Sequence, residues 1–343
     1  MREAAGPTVG IVANPLAGKD VRRLTSGATP VSDAVKIGAI RRAVVGAFEG
    51  GAERVLISGD RARLGDRALV GLHRSGPVEV TEPHGWHTGR DSQLAAARFC
   101  ELGVGAVIAL GGDGTQRDVA KGWRNVPLVP LAVGTNNVFP QQLEATVVGF
   151  AAGAVASGLG AAAEVTSQAK IIDITLESSG DSDVALVDVC LVRGAFVGAR
   201  AVWESASVSE IVAAIAEPAS VGLSAIAAAV APLGRYEAGG VHVRLGCASR
   251  NAQRSRHIRA AVMPGSYSDI DIEHCEHVGF DQPVTLRGPG VLTLDGEREI
   301  VLGRGEPAEV TVRPNGPQVI DVSAAVAAAQ RRRYRFVPAV ADG

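Results

Sequence analysis

The chain has 343 residues, 46% hydrophobic and only 4% aromatic, which allows two domains whose cores are built from Ala, Val, Ile and Leu rather than rings. A formal net charge of −2 excludes general attraction to nucleic acid or to an anionic membrane. Cys100, Cys190, Cys247 and Cys275 are scattered without C-x-x-C spacing, which argues against a zinc site or disulfide framework and for a reducing, cytoplasmic compartment. No basic-then-apolar leader precedes the first apolar run. Residues 145–163 carry no ionised group, but their Ala, Gly and Ser content suits a packed helix better than a membrane span.

Taken in order, residues 8–13 predict a buried strand, which opens into Asn14-Pro15-Leu16-Ala17-Gly18-Lys19-Asp20, a run of breakers. Asn14 can hydrogen-bond a ribose or phosphate oxygen and Lys19 can offset phosphate charge; a plain strand-to-helix turn is the alternative. A helix over 31–48 is followed by a strand at 54–58, a helix over 60–73 and a short strand at 77–81. The polar loop His84-Gly85-Trp86-His87-Thr88 holds two histidines but no third metal ligand, and so reads as surface. Thr88 and Asp91 resemble a capping box for a helix over 91–102.

Residues 104–110 then form a short apolar run broken by Gly111, Gly112 and Gly114, with a helix from 116 to 124. Strand, glycine turn and helix put a loop at the carboxyl end of a strand, where open α/β sheets bind ligands. Glycines let backbone N–H groups approach a phosphate, and a helix N-terminus adds partial positive charge. Asp113 within that loop would repel a phosphate unless it holds a metal or a substrate hydroxyl; a turn former is the alternative. A strand over 126–133 opens into a third such loop, Gly134-Thr135-Asn136-Asn137-Val138-Phe139-Pro140. Strands alternating with helices predict a parallel sheet covered on both faces.

Beyond Pro140 the pattern changes. Residues 145–159 predict a bridging helix, 171–176 and 184–191 strands, and 202–217 and 221–231 helices. Strands at 240–245, 259–263, 283–286, 291–294, 299–302 and 309–312 follow at short spacing, as in an antiparallel β domain. Asp295-Gly296-Glu297 ends one of them in a turn presenting two carboxylates; a simple Asp-Gly hairpin turn is the alternative. A last helix spans 324–332. Clusters at Arg250–Arg259 and Arg331–Arg335 lack the aromatic interleaving of a nucleic-acid platform and read as solvated faces.

Gly111-Gly112-Asp113-Gly114-Thr115 matches the GGDGT motif of NAD kinases, diacylglycerol kinases and sphingosine kinases. The run from Asn14 to Leu24 resembles, in particular, the AcoX-like branch of the ATP-NAD kinase family. Gly134, Thr135, Asn137 and Phe139 are similar to the Gly-Thr-x-Asn-Asp-Phe string of the lipid kinases, with Val138 where those have Asp. Residues 185–189 lie where NAD kinases carry Ala-Leu-Asn-Glu; Val187 replaces the Asn and Asp188 the Glu, and Val187 cannot hydrogen-bond a ribose or base. The segment from Glu217 to Ser224, including Ser220, partly resembles the Thr-Pro-Thr-Gly-Ser-Thr stretch of those enzymes. Asp295-Gly296-Glu297 is similar to the lipid-kinase Asp-Gly-Glu.

The resemblance implies an NAD kinase-like fold: a Rossmann-like parallel-sheet domain over 1–139, a β-rich, sandwich-like acceptor domain over 140–322, and a C-terminal helix over 323–343 packing back on the first. It implies a kinase taking phosphate from ATP (or polyphosphate), with Mg²⁺, and giving it to a ribose hydroxyl of NAD, making NADP. Kinases of another small hydroxyl metabolite or of a lipid, and a nucleotide-binding regulator without catalysis, are the alternatives. Asp113 takes the catalytic place. Asn14, Gly18, Lys19, Gly111, Gly112, Gly114, Thr115, Gly134, Thr135, Asn136 and Asn137 take the nucleotide, Asp188 and Ser220 the acceptor, and Asp295 and Glu297 form the second acidic turn. No direct metal ligand is assigned. The expected partner is the small substrate within a homo-oligomer, with no nucleic acid and no membrane.

Overall fold

The computed structural model describes residues 6–18, 31–73, 75–133, 137–160, 162–193, 207–246 and 256–333. In the first part strands and helices alternate: β1 (Thr8–Ala13), α1 (Asp33–Gly50), β2 (Arg54–Ile57), α2 (Leu64–Leu69), β3 (Val78–Val80), α3 (Gly89–Glu101), β4 (Ala106–Gly111), α4 (Asp113–Gly122), β5 (Pro127–Ala132) and α5 (Ala145–Ala156). A short helix α6 (Ala162–Val165) leads to β6 (Thr166–Gln168), β7 (Ile171–Leu176), β8 (Ser182–Ala185), β9 (Asp188–Val192) and β10 (Val208–Ala213). Then come α7 (Ser224–Val230), β11 (Gly240–Leu245), β12 (Arg256–Met263), β13 (Ser266–Val278), β14 (Pro283–Arg287) and β15 (Gly290–Leu294). The last elements are β16 (Glu297–Leu302), β17 (Pro307–Arg313), β18 (Gln318–Ile320) and α8 (Val322–Arg333).

The first sheet runs β3-β2-β1-β4-β5-β18-β6, parallel except at β6. Every residue of β1 and β4 is buried, as central strands covered on both faces require. Val9, Ile11, Ile108 and Leu110 face one core with α1, α2, α5 and α8, while Val12, Val107 and Ala109 face the other with α3 and α4. The chain builds outward from β1 through β2 to β3, then returns to place β4 on the other side of β1. The switch point therefore lies between the carboxyl ends of β1 and β4, and a crevice opens there.

Helices α1 and α5 meet through Gly46 and Gly50 on one side and Gly149 and Gly153 on the other. A Cβ on Gly46 would collide with the Thr146 carbonyl and one on Gly149 with that of Ala43. Small residues let the two backbones touch, a packing solution suited to a chain poor in rings.

The second part is antiparallel. A sheet ordered β12-β13-β11-β10-β9-β15-β16 packs on a smaller one ordered β14-β17-β7-β8. Ile172, Ile174, Val310 and Val312 of the smaller sheet share a core with Val189, Leu191, Leu292 and Leu294 of the larger. The larger sheet's other face is covered in part by Ile226 and Ala227 of α7. The α/β architecture with an N-terminal parallel sheet and a C-terminal β-rich region is thus present. Among the described residues no helix is long and apolar enough to cross a membrane.

Three segments differ from expectation. The helix predicted over 202–217 gives way, in its described part, to β10, hydrogen-bonded to β9 and β11. Its apolar run is buried on both faces, and such a run does not discriminate helix from strand. The single strand predicted over 184–191 is two: β8 belongs to the smaller sheet and β9 to the larger, and the chain changes sheets at Leu186 and Val187. The long hairpin of β12 and β13 exceeds the one short strand predicted at 259–263 because its solvent face is largely polar. In addition β6 and β18 join the first sheet, so the chain returns to its starting layer before α8.

Candidate active site

The crevice at the switch point encloses about 200 Å³. Its first wall is made of loops following β1, β4 and β5. Asn14 N–H donates to the Leu110 carbonyl at 3.2 Å and Asn14 Nδ2 to Thr115 Oγ1 at 2.9 Å, tying the first loop to the glycine loop. Val133 N–H donates to the Gly111 carbonyl at 3.3 Å, tying the glycine loop to the third. Asn14 Oδ1 accepts from Leu16 N–H at 2.8 Å, the Asx turn that bends the chain away from β1. Gly18, at φ 74°, lines the crevice in a conformation that favours glycine.

Asp113 is the first residue of α4 and lines the crevice with Asn14 and Asn137. Its Oδ1 accepts from Phe139 N–H at 2.8 Å and Val138 N–H at 3.1 Å, so the third loop fixes its side chain. Gln116, fully buried, donates to the Ala109 carbonyl at 3.0 Å and locks the turn from strand to helix.

The second wall comes from the β-rich part. Asp295, at φ 52° in the turn between β15 and β16, is buried and accepts backbone N–H bonds from Leu186 and Val187 at 3.0 and 2.8 Å. These bonds stabilise the point where the chain leaves one sheet for the other. Glu297 stands against Gly114 and bonds Arg117 of α4, joining the acidic turn to the glycine loop. Val187 and Asp188 line the crevice, as do Val221, Leu223, Met263 and Ser224.

Of the predicted site residues, Asn14, Gly18, Gly112, Asp113, Gly114, Thr115, Asn137, Asp188, Asp295 and Glu297 line this crevice. Gly111 lies one step behind it as the last residue of β4. Ser220 does not line it; the residues immediately after it, from Val221 to Ser224, do. Lys19, Gly134, Thr135 and Asn136 lie outside the described residues.

Arg117 is 4% exposed and bonds the Leu294 carbonyl at 2.7 Å and Glu299 at 2.9 Å. Burial opposes its charge, but Asp118, Asp295, Glu297 and Glu299 hold its pKa above the ordinary arginine value. Asp118 also lines the crevice; burial first, then Glu297, push its pKa up to about 6, against the pull of Arg117. Burial likewise raises Asp295, opposed by Arg117 and reinforced by Asp188 and Asp113. The described lining of the crevice is acidic, with Arg117 buried inside the wall.

Sequence reading missed three supports. Arg235 grips Glu217 with two bonds, at 3.0 and 2.9 Å, and donates to the carbonyls of Val138 and Phe139 at 3.0 and 3.1 Å. Those are the residues whose N–H groups hold Asp113. Lys170, whose pKa burial lowers to about 8, donates to the neighbouring Gly234 carbonyl at 3.0 Å. Lys36 of α1, fully buried, donates to the Pro15 carbonyl at 2.6 Å and supports the first loop from beneath. All three contacts are long-range and follow no local motif.

Other expectations meet the structure away from the crevice. The 84–88 loop is exposed. Thr88 caps α3 by accepting from Arg90 N–H, while the Asp91 carboxylate accepts from Trp86 and His87 N–H instead of Thr88 N–H. Arg332 and Arg333 bond the carbonyls of Gly158, Leu159 and Glu49, pinning α8 to the first layer.

Known proteins resemble this chain along most of its length. The family model described as the ATP-NAD kinase N-terminal domain matches residues 57–155, and that of the acetoin catabolism protein X C-terminal domain matches residues 170–315. Acetoin catabolism protein X of Cupriavidus necator is 32% identical over 338 residues, covering 95% of this chain and 93% of that protein. A solved diacylglycerol kinase of Bacillus anthracis shares 11% identity at a TM-score of 0.37, covering 92% of this chain and 96% of its own. Another solved structure from that organism shares 12% identity at a TM-score of 0.45, covering 93% and 98%. The chain belongs to the family of acetoin catabolism protein X, and its first part matches the ATP-NAD kinase N-terminal domain.

Proposed function

We propose that this protein is an ATP-dependent kinase that transfers the terminal phosphoryl group to a hydroxyl of a small acceptor bound between the two walls. The observation that carries this is Asp113: one carboxylate, held by two backbone N–H groups, facing a crevice walled by the glycine loop and by Asn14, Thr115 and Asn137. Phosphoryl transfer asks a protein mainly for positioning and charge neutralisation. Gly112 and Gly114 give the donor phosphates close access to backbone N–H groups, and Asn14 and Asn137 orient ribose or phosphate oxygens. Asp113 accepts the proton of the acceptor hydroxyl as it attacks the terminal phosphorus; the ADP oxygen leaves on the opposite side. A carboxylate is a weak base, so its contribution is placement of the hydroxyl.

The donor set suits Mg²⁺. Asp118 and Glu297 supply hard carboxylate oxygens at the crevice, and among the described residues no three acidic, His or Cys side chains form a metal cage. Mg²⁺ usually takes one or two carboxylates together with substrate phosphates. Bound there, it would offset phosphate charge that the acidic walls cannot.

Two acceptors compete. NAD is supported by the match to the ATP-NAD kinase N-terminal domain. A small hydroxyl metabolite is supported by Val187, which offers no side-chain hydrogen bond, and by a relative whose name connects it with acetoin, itself a small hydroxyketone. Mass spectrometry of products after incubation with ATP, Mg²⁺ and either NAD or a panel of small hydroxyl compounds decides the matter. Acceptor-dependent ADP formation with a phosphorylated product is expected. Nucleotide binding without turnover on any acceptor would instead make the protein a regulator.

A further inference from the structure

The second wall is unusual for a site that handles phosphates. Val187, Val221, Leu223, Val262 and Met263 present aliphatic or thioether surface to the crevice. The backbone of Val187 is committed as well: its N–H donates to Asp295 at 2.8 Å, and its carbonyl accepts from Ala214 and Ile215 at 2.8 and 3.3 Å. Residue 187 therefore has no polar group left for a ribose or a base. Amid this apolar surface stands Ser224, 1% exposed, lining the crevice, with a buried hydroxyl that has no hydrogen-bond partner. A buried hydroxyl left unpaired costs about 1–3 kcal/mol, and a ligand oxygen at this point would recover that cost.

The segment is built to stay in place. Gly222, at φ 135°, turns the chain into α7 and donates its N–H to the Ala261 carbonyl at 3.0 Å. That bond docks the segment against β12, whose end supplies Val262 and Met263. The apolar wall and the free hydroxyl are thus parts of one corner, and Asp113 lines the same crevice.

We propose that this corner is the acceptor subsite, and that it takes a short aliphatic compound carrying the reacting hydroxyl and one further oxygen. The hydrocarbon body packs against Val187, Leu223 and Met263, and the further oxygen bonds Ser224 Oγ. A dinucleotide is disfavoured because at this corner its ribose and phosphate oxygens would lose water against aliphatic side chains and a single hydroxyl, and its phosphates would meet the carboxylates of Asp188, Asp295 and Glu297. The assignment of the reacting hydroxyl rests on the kinase reading; the subsite itself does not.

The test is saturation-transfer NMR on the full-length protein with Mg²⁺ and a non-hydrolysable ATP analogue, using 1,2-propanediol, 2,3-butanediol and glycerol as probes. The methyl-bearing diols are expected to bind more tightly than glycerol and to resist displacement by NAD. Ser224→Ala should weaken diol binding about three- to tenfold, and Met263→Gln at the hairpin end should weaken it without touching Ser224. Absence of diol binding, displacement by NAD, or binding indifferent to both substitutions overturns the subsite. A diol that binds in this variant-sensitive way but is never phosphorylated from ATP leaves the subsite standing and removes the kinase reading instead.

Discussion

The two walls of the crevice are built on different principles. The first presents backbone: glycines, loop N–H groups and short amides at strand ends, stitched together by bonds such as Asn14 to Thr115. The second presents side chains: aliphatic residues and buried acids, with its own backbone consumed in holding the chain's change of sheets at Val187. A backbone wall suits a ligand part common to many substrates, the phosphate tail, because every residue except proline carries the same N–H group. A side-chain wall can be rewritten residue by residue to change what it accepts. On the proposed function, the difference places generality on one side and selectivity on the other.

The largest expected effect breaks the chemistry while sparing both walls. Asp113→Asn should lower turnover by roughly 10²- to 10⁴-fold with ATP affinity nearly unchanged, measured by product formation and by calorimetric titration. Wild-type rates from this variant would remove Asp113 from the mechanism.

Next is a change in the layer beneath the first wall. Gly46→Ala drives a methyl group into the Thr146 carbonyl, backbone against helix backbone, with no flexible side chain to yield. It should cost about 1–3 kcal/mol, seen as a lower denaturation midpoint with unchanged m-value. Gly71→Ala, where nothing lies near the added Cβ but φ is 65°, serves as a comparison for backbone strain without collision.

A third experiment tests whether the walls communicate. Arg235, from the β-rich part, holds the carbonyls of the two residues whose N–H groups hold Asp113. Arg235→Gln should lower kcat by about 10- to 100-fold while leaving the KM for ATP nearly constant. Hydrogen exchange of a peptide spanning 137–142 should rise in parallel. A uniform loss of stability, with kcat and exchange elsewhere changing alike, would mean that Arg235 is merely structural.

The same contrast governs what could be read in advance. The first wall was legible because strand, glycines and helix start are local signals. Gly112, Asp113 and Thr115 are contiguous, and Asn14 directly follows a run of apolar residues. The α/β alternation was legible for the same reason. Of the second wall only Asp188, Asp295 and Glu297 were read in advance. Residues 211–216 are apolar at every position, so their period could not separate strand from helix. The break at Leu186 and Val187 depends on Asp295, more than a hundred residues away. Arg235 and Lys36 owe their roles to carbonyls on distant loops, and any backbone carbonyl looks like any other in a sequence.

The smallest expected effect sharpens the electrostatic side of the comparison. Asp118, on α4 but facing Glu297 across the crevice, has its pKa raised from 3.8 to about 6. A carboxyl whose pKa is higher folded than unfolded binds more protons in the native state between those values. Stability contributed by its neutral form is therefore present at low pH and lost as pH rises from about 4 to 6. The rise corresponds to roughly 3 kcal/mol, an upper figure, since Arg117 moves with its partner. Asp118→Asn keeps the shape and removes the titration. The melting temperature of the variant relative to wild type should then climb between pH 4 and pH 7 and level off above. A difference that stays flat across this range would mean that Arg117 keeps Asp118 ionised throughout. The acid on the glycine-loop helix would then be part of a fixed ion pair.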